Sequence, residues 1–402
     1  MARIAFAWEM GGEFGHAMAC NSIGRQLRQR GHRIAYMFRE LHQLAQLTDC
    51  AAHDVLQAPV SVREGHGEPT PVSLADILVG CGYDSPQHLA GMLGAWFALF
   101  RHWKPDLVVN DFAPTALLAA RTLGVRRVTY GNGFSIPPRL SPLPAFRFDE
   151  AVDAARVARA DARALAATNG ALETFGAPPL QTLAQQFEAD EDFLTTFPEL
   201  DSYGTRPRSG YWGPRVSFDL GERVNWPKGE GKRVAIYLKR SLPQLDAVID
   251  VLAASSCRVA AFIPELEPHR AARLRSSRRI VSERPMRLDG LLKDCDLLIN
   301  SGGNISPGAL MYGVPQVIFP MQYEQYITAR RMGQIGAGVW LGPDDTQVAK
   351  AIADVLGQPS FRNAARAFAA RYPAYSPAEQ QRRIIVRIEE ILQGQTATQG
   401  AR

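Results

Sequence analysis

The sequence predicts an α/β protein built from two doubly wound domains, and three observations predict it. Short apolar stretches alternate with helical ones in both halves, and each half carries a glycine-rich turn directly after a strand. The third is size: 402 residues with 46% hydrophobic content suffice for two cores and a cleft, and exceed one typical domain.

The elements follow in order. "ARIAFAW" reads as a strand and "EMGGEFGH" as a glycine turn. Ala17 to Arg30 reads as a helix, because Ala19, Ile23 and Leu27 recur at one-turn spacing and Gly31 stands at the C-cap position. "HRIAYMF" is the next strand, and the same alternation returns in "DLVVND", "FAPTALLAARTLGV" and "RRVTYG". Residues 148–187 are alanine-rich and read as a helical excursion. Alternation restarts with "RVAIYLKR", a helix over Leu245 to Ala254, then the strands "CRVAAFIP", "RIVSE", "DLLIN" and "QVIFP". The final helix begins at "SPAEQQ", where Ser376 and Glu379 have capping-box spacing around Pro377, and Ile384, Ile385, Ile388, Ile391 and Leu392 make one apolar stripe. These readings set the expected boundaries: a first domain over 1–214, a polar linker over 215–232, a second domain over 233–373, a helix over 374–393 and a frayed tail over 394–402.

Composition narrows the function classes. A formal net charge of +5 suits phosphate-bearing ligands, or at most peripheral contact with an anionic membrane, and nucleic acid is not the expected partner. The five cysteines, Cys20, Cys50, Cys81, Cys257 and Cys295, show no Cys-x-x-Cys spacing, so neither a disulfide framework nor a zinc site is indicated and a reducing cytoplasm is expected. No apolar run approaches a membrane span, and the N-terminus reaches glycine and acid before a signal-peptide core is complete. Asp190 with Asp192, and Asp294 with Asp296, have Asp-x-Asp spacing, but Asp294 and Asp296 precede a buried strand with no histidine or further carboxylate clustered beside them, and in this architecture no metal is expected at either pair. The basic run "HRAARLRSSRR" reads as a solvated helix face.

The chemistry concentrates in the glycine turns. In "INSGGNISP", Ser306 can cap and Pro307 can open a helix, and the amides from Ser301 to Ile305 can cradle a phosphate. In "WEMGGEFGH", Gly12 and Gly15 shape a loop that ends in His16, a residue type suited to general-base work when a carboxylate orients it. Asp111, closing "DLVVND", is the candidate partner, and Trp8 is a candidate wall for an acceptor. Trp96, Trp103 and Trp340 read as packing residues.

The stretch from "RRIVSERPM" to "GAGVWL" resembles the donor-binding segment of nucleotide-diphosphate-sugar glycosyltransferases of the GT-B fold, the UDP-glucuronosyl/UDP-glucosyl and macrolide glycosyltransferase type. Gly313, Val314 and Pro315, then Pro320, then Glu324 and Gln325 in the place of an Asp-Gln pair, and Ala329, Arg330 and Gly336 all fall in step with that family. "GGEFGH", "RGHRIAYM", "DFAPTALLAARTLGV" and "FPELDSYGTRPRSGYWGP" extend a weaker likeness over the first half. The resemblance implies a GT-B fold of two Rossmann-like domains facing a central cleft, with acceptor binding in the first and the nucleotide sugar in the second. It implies His16 as catalytic base and Asp111 as its orienting acid. The donor phosphates would lie on Asn300, Ser301, Gly302, Gly303 and Asn304, and the sugar near Glu324 and Gln325. Lys239 and Arg240, by their place at the end of "RVAIYLKR", are either helpers of the phosphate loop or solvated strand-end residues.

Departures from the pattern are concentrated at the donor loop. Asn300 stands in place of the phosphate-binding histidine, Ser301 and Asn304 in place of glycines, Ile305 in place of threonine and Gly308 in place of a ribose-binding glutamate. Losing one charge-assisted hydrogen bond costs about 1.5–3 kcal/mol, roughly one to two orders of magnitude in donor affinity. The expected activity is metal-independent, inverting transfer of a sugar from a UDP- or TDP-sugar co-substrate, with no other cofactor, to the hydroxyl of a small-molecule or lipid acceptor. The alternatives are a UDP-sugar 2-epimerase of similar build and a non-catalytic binding protein with a decayed donor site; a monomer or homodimer is expected.

Overall fold

The computed structural model describes residues 1–12, 14–45, 54–61, 70–146, 151–206, 210–216 and 221–394. Cys50, residues 148–150 of the helical excursion, 217–220 of the expected linker and 395–402 of the tail lie outside the described residues.

In chain order the first part comprises β1 (Arg3–Trp8), α1 (Phe14–Gln29), β2 (Arg33–Phe38), α2 (Leu41–Ala45), β3 (Asp54–Gln57), α3 (Leu74–Gly80), α4 (Pro86–Trp103), β4 (Leu107–Asp111), α5 (Pro114–Thr122), β5 (Arg126–Gly131), α6 (Ala154–Thr174) and β6 (Glu191–Leu194). The second comprises β7 (Arg233–Tyr237), α7 (Leu245–Ala254), β8 (Arg258–Phe262), α8 (Pro268–Leu274), β9 (Arg279–Ser282), α9 (Leu288–Lys293), β10 (Leu297–Asn300), α10 (Ile305–Met311), β11 (Gln316–Ile318), α11 (Tyr323–Ile335), β12 (Gly338–Trp340), α12 (Val348–Gly357) and α13 (Pro359–Arg371), before the last helix, α14 (Pro377–Leu392). The chain divides into two compact units, one of Met1–Gly213 with Ser376–Arg402 and one of Pro214–Tyr375.

Each unit is wound about a six-stranded sheet, in the order β3-β2-β1-β4-β5-β6 and β12-β11-β10-β7-β8-β9, and every pairing between neighbouring strands is parallel. In the first sheet the order reverses between β1 and β4, where Trp8 is paired with Asp111. In the second it reverses between β7 and β10, where Tyr237 is paired with Asn300. Strand ends at such a reversal splay their following loops to opposite faces and leave a crevice, which is where ligands bind in open α/β sheets.

Both sheets are covered on both faces, which explains the nearly unbroken apolar strands. In β1, Ile4, Phe6 and Trp8 join one core with Ile23 and Leu27 of α1, while Ala5 and Ala7 join another with Leu93, Trp96 and Phe97 of α4. In the second unit, Val234, Ile236 and Ile299 pack with Leu245, Val248 and Ile249 of α7, and Ala235 and Leu298 with Leu291 and Ala309 on the other face.

Three local expectations change. The described residues of the expected linker, 215–216 and 221–232, are packed on the second unit: Val216 is in its core, Glu222 bridges to Met286, and the Trp226 indole donates to the Leu291 carbonyl at 3.3 Å. Apolar side chains in that polar stretch supply the reason. The capping box of α14 does not form, because Glu379 is held by Arg382 at 2.6 and 2.8 Å and Ser376 makes no side-chain cap bond. The helix is fixed from its other face instead, with Ile384, Ile385, Ile388 and Ile391 in the core beside α1, and Arg126 donating to the terminal carbonyls of Ile391 and Leu392 at 2.6 Å. The basic run around α8 is not merely solvated: Arg270 and Arg273 are paired with Asp246, Arg273 also with Asp250, and Arg279 donates to the carbonyls of Leu252, Leu274 and Ser255.

Among the described residues no helix is long and apolar enough to cross a membrane, and no group of three His, Cys, Asp or Glu side chains is placed to hold a metal.

Candidate functional site

The first site is assembled at the β1/β4 reversal. His16 lies in the first turn of α1, and its Nδ1 stands 3.0 Å from Oδ1 of Asp111, the last residue of β4. The Asp111 side chain is fully buried and that of His16 is 11% exposed, so a buried carboxyl group is held under an imidazole that still reaches solvent. A carboxylate at Nδ1 holds the proton there and leaves the Nε2 lone pair as the basic position. The Cys20 thiol, one turn further along α1, lies 3.6 Å from the other Asp111 oxygen.

The imidazole is clamped on its remaining sides. The Trp8 ring stacks on it at 5.1 Å between centroids and 16° between planes. Gly11 has φ +75°, and a Cβ there would lie 3.2 Å from both His16 Nε2 and the Phe112 ring. Only glycine fits both that conformation and that approach. Phe112 is itself left-handed, with φ +48°, an uncommon state for a bulky residue, and its carbonyl accepts the Met10 amide at 2.9 Å. Trp8 is therefore not an exposed acceptor wall: it is fully buried and its indole donates to the Met10 carbonyl at 2.8 Å. Of the loop glycines singled out from sequence, Gly12 borders open space and Gly15 lies within α1, while Gly11 makes the close approach.

Behind this loop Glu9 joins β1 to α5. Its carboxylate accepts from the Thr115 amide at 2.9 Å, the Thr115 hydroxyl at 2.6 Å and the Ala116 amide at 3.3 Å. Burial outweighs these bonds and pushes the Glu9 carboxyl up to about 7. The Cys81 thiol nearby is pushed up to about 11, by burial first and then by the Glu9 charge.

The second site is the loop after β10. Gly302 and Gly303 have φ +93° and +69°, and a Cβ on Gly302 would lie 3.1 Å from Gln325 Cβ, so the loop packs against the first turn of α11. Asn300 does not offer its side chain to a ligand. It is fully buried; its Oδ1 accepts from the Gly302 amide at 2.6 Å and the Ser306 hydroxyl at 2.8 Å, and its Nδ2 donates to Gln316 Oε1 at 2.9 Å. Gln316 closes the circuit by donating to the Ser306 carbonyl at 2.8 Å. Asn300 is thus a brace that shapes the loop from beneath.

Ser306 is part of that brace rather than a cap, and α10 begins before it, at Ile305. The Ser301 hydroxyl is buried and has no hydrogen-bond partner among the described residues. Gln325 is buried and accepts the Met321 amide at 2.9 Å, with half-buried Glu324 beside it. Arg240 lies beyond the end of β7 in an exposed pair with Glu265 at 3.3 Å.

Residues 246–386 match the erythromycin biosynthesis protein CIII-like C-terminal domain family. The chain is 41% identical over 59 residues to the NDP-glycosyltransferase YjiC of Bacillus subtilis (strain 168), a stretch covering 14% of this chain and 15% of that protein. The whole chain superposes on the glycosyltransferase of kitacinnamycin with a TM-score of 0.67 at 18% identity, covering 97% of this chain and 99% of that one. It also superposes on spinosyn rhamnosyltransferase SpnG complexed with thymidine diphosphate, TM-score 0.61 at 19% identity, covering 96% and 100%. The fold is that of the GT-B glycosyltransferases.

Of the residues that sequence reasoning singled out, the structure brings His16 and Asp111 together and places 301–304 in the loop after β10. Sequence reasoning missed Gly11, Phe112, Glu9 and Cys20. "WEMGG" did show an acid beside the loop, but nothing in sequence indicates that Glu9 turns away from solvent to meet α5. Cys20 was detectable only as the residue one turn after His16.

Proposed function

We propose that the protein is an inverting glycosyltransferase that moves a sugar from a nucleoside-diphosphate donor, UDP- or TDP-linked, to the hydroxyl of a small-molecule acceptor. The observation that carries this reading is the buried Asp111 carboxylate 3.0 Å from His16 Nδ1, on strand ends at the reversal of a GT-B-type sheet. A histidine so held is a general base with its Nε2 directed away from the acid.

The acceptor O–H gives its proton to Nε2 as the oxygen attacks the anomeric carbon. The bond from that carbon to the diphosphate oxygen breaks, and the nucleoside diphosphate leaves from the opposite face, inverting the centre. Asp111 steadies the imidazolium and does not take the proton. The imidazolium then returns its proton to solvent.

The donor pyrophosphate is assigned to the loop 301–304, with the Ser301 hydroxyl and the amides not used by Asn300 as its donors, and the sugar to Glu324 and Gln325. Arg240 can serve the leaving diphosphate only by exchanging its Glu265 partner. The free cysteines Cys20, Cys81, Cys257 and Cys295 suit a cytoplasmic protein.

Isothermal titration with UDP and TDP, followed by transfer assays with the corresponding sugars and a panel of hydroxyl acceptors, tests the reading. His16→Ala should leave nucleotide binding intact and lower transfer by about 10²–10⁴-fold. Product formed without acceptor, or transfer that survives His16→Ala, would overturn it.

A further inference from the structure

The helix that follows Asp111 is capped from outside its own segment. Ala113 stands at the N-cap position of α5 and makes no side-chain cap bond, and Pro114 opens the helix, so the amides of Thr115 and Ala116 are the first that need an acceptor. Glu9 brings one from 106 residues away: its Oε2 accepts the Thr115 amide at 2.9 Å and the Ala116 amide at 3.3 Å, and its Oε1 accepts the Thr115 hydroxyl at 2.6 Å. Both residues are buried. With Glu9 ionised, the one hydroxyl proton of Thr115 is given to the carboxylate, so Tyr83 is the donor in its 3.0 Å contact with Thr115. Gln186 donates in turn to the Tyr83 oxygen at 2.8 Å and to the Pro114 carbonyl at 3.1 Å.

The same carboxylate sits between the groups that hold His16 and Asp111. On its own strand it follows Trp8, whose ring stacks on His16, and precedes Met10, whose amide donates to the Phe112 carbonyl at 2.9 Å. Across the sheet, only Phe112 and Ala113 separate Asp111 from α5, and Phe112 is left-handed with φ +48°. A bulky residue stays in that conformation only where its surroundings over-determine it. Met10 holds the carbonyl of Phe112, and Glu9 holds the amides three and four residues further on.

We propose that Glu9 is a positioning residue for the His16–Asp111 pair: by capping α5 from the end of β1, it fixes the backbone turn at Phe112 and with it the direction of the Asp111 carboxylate. Without the cap, Phe112 relaxes out of the left-handed region, Asp111 turns away from Nδ1, and the imidazole loses the carboxylate that selects its tautomer. The role requires an acceptor oxygen at the two amides and not a negative charge. A glutamine can supply it, with its oxygen on both amides and its N–H on the Thr115 oxygen. The inference rests on the base role proposed above for His16.

The test reads the two ring nitrogens of His16 by nitrogen-15 NMR in alkaline buffer, on the free protein without nucleotide or acceptor. In wild type the proton should reside on Nδ1, with the two signals well separated. Glu9→Ala should draw the signals together as the ring exchanges between tautomers, and Glu9→Gln should keep the wild-type separation. Ser73→Ala is the control, since it removes the hydroxyl that accepts the Asp76 amide at 3.2 Å and caps α3 in the same unit; it should lower the melting temperature without moving the His16 signals. Glu9→Asp, one methylene too short to reach both amides and the hydroxyl, gives the same comparison if the alanine variant does not fold. A mixed tautomer already in wild type, His16 signals unmoved by loss or shortening of Glu9, no retention in Glu9→Gln, or an equal movement in Ser73→Ala would overturn the positioning role and leave Glu9 a structural cap only. Because no substrate enters the experiment, a Glu9-dependent Nδ1 tautomer in a protein that transfers no sugar counts against the transferase reading and not against this role.

Discussion

Glu9 makes stability depend on pH in a direction opposite to that of most carboxylates. Its side chain titrates near 7 in the folded protein against 4.5 as an ordinary glutamate, because burial penalises the charged form more than Thr115 and Ala116 compensate it. The folded state therefore holds a proton that the unfolded chain has released. The Glu9 contribution is fully present below pH 4.5, is lost as pH rises toward 7, and is flat above. Raising the carboxyl from 4.5 to about 7 corresponds to about 3 kcal/mol over that window. Glu9→Gln keeps an oxygen for the Thr115 amide but cannot ionise, so it should erase this slope and exceed wild type in stability at pH 8. Selective carbon-13 labelling of glutamate carboxyls should show a midpoint near 7, and urea unfolding of both proteins from pH 4 to pH 8 supplies the slope. A Glu9 midpoint near 4.5, or equal slopes in the two proteins, would refute the assignment of burial as the dominant cause.

Three further outcomes are expected. Asp201→Asn should destabilise the first unit by about 3–5 kcal/mol, seen in its melting temperature, because Asp201 is fully buried against Arg206 at 2.7 Å and the Tyr211 hydroxyl at 3.0 Å, and an uncompensated arginine would remain. Gly11→Ala should lower transfer far more than it lowers the melting temperature, since the added Cβ meets His16 Nε2 and so moves the imidazole off Asp111. Asn300→Ala should weaken TDP binding in titration calorimetry and cost about 1–3 kcal/mol in stability, because the Gly302 amide, the Ser306 hydroxyl and the Gln316 amide all lose their common partner; unchanged binding would show that the loop keeps its shape without its brace.

The two-sheet α/β architecture was legible in the sequence because parallel strands buried on both faces leave continuous apolar runs, and the intervening helices leave an i, i+4 record, as at Ile23 and Leu27. The glycine turns were legible for a related reason: "SGG" after "DLLIN" marks backbone that must turn left-handed, as Gly302 and Gly303 do. His16 and Asp111 could be named as a pair because each closes or follows a strand of the same sheet, and in such a sheet strand ends at one edge converge.

What the side chains at those positions do was decided by tertiary structure. Asn300 reads in sequence as a substituted phosphate ligand, yet it faces Gln316, sixteen residues further on, and is consumed in bracing. Trp8 reads as an aromatic beside a loop, yet the sheet turns it inward beneath His16. Ser376 and Glu379 have capping-box spacing, but Arg382 competes for the glutamate. Local spacing determines which elements form and where chain direction changes, since those depend on neighbours in sequence. Burial, hydrogen-bond partner and titration depend on groups distant in sequence, as Thr115 is brought to Glu9 from 106 residues away, and only the folded chain specifies those.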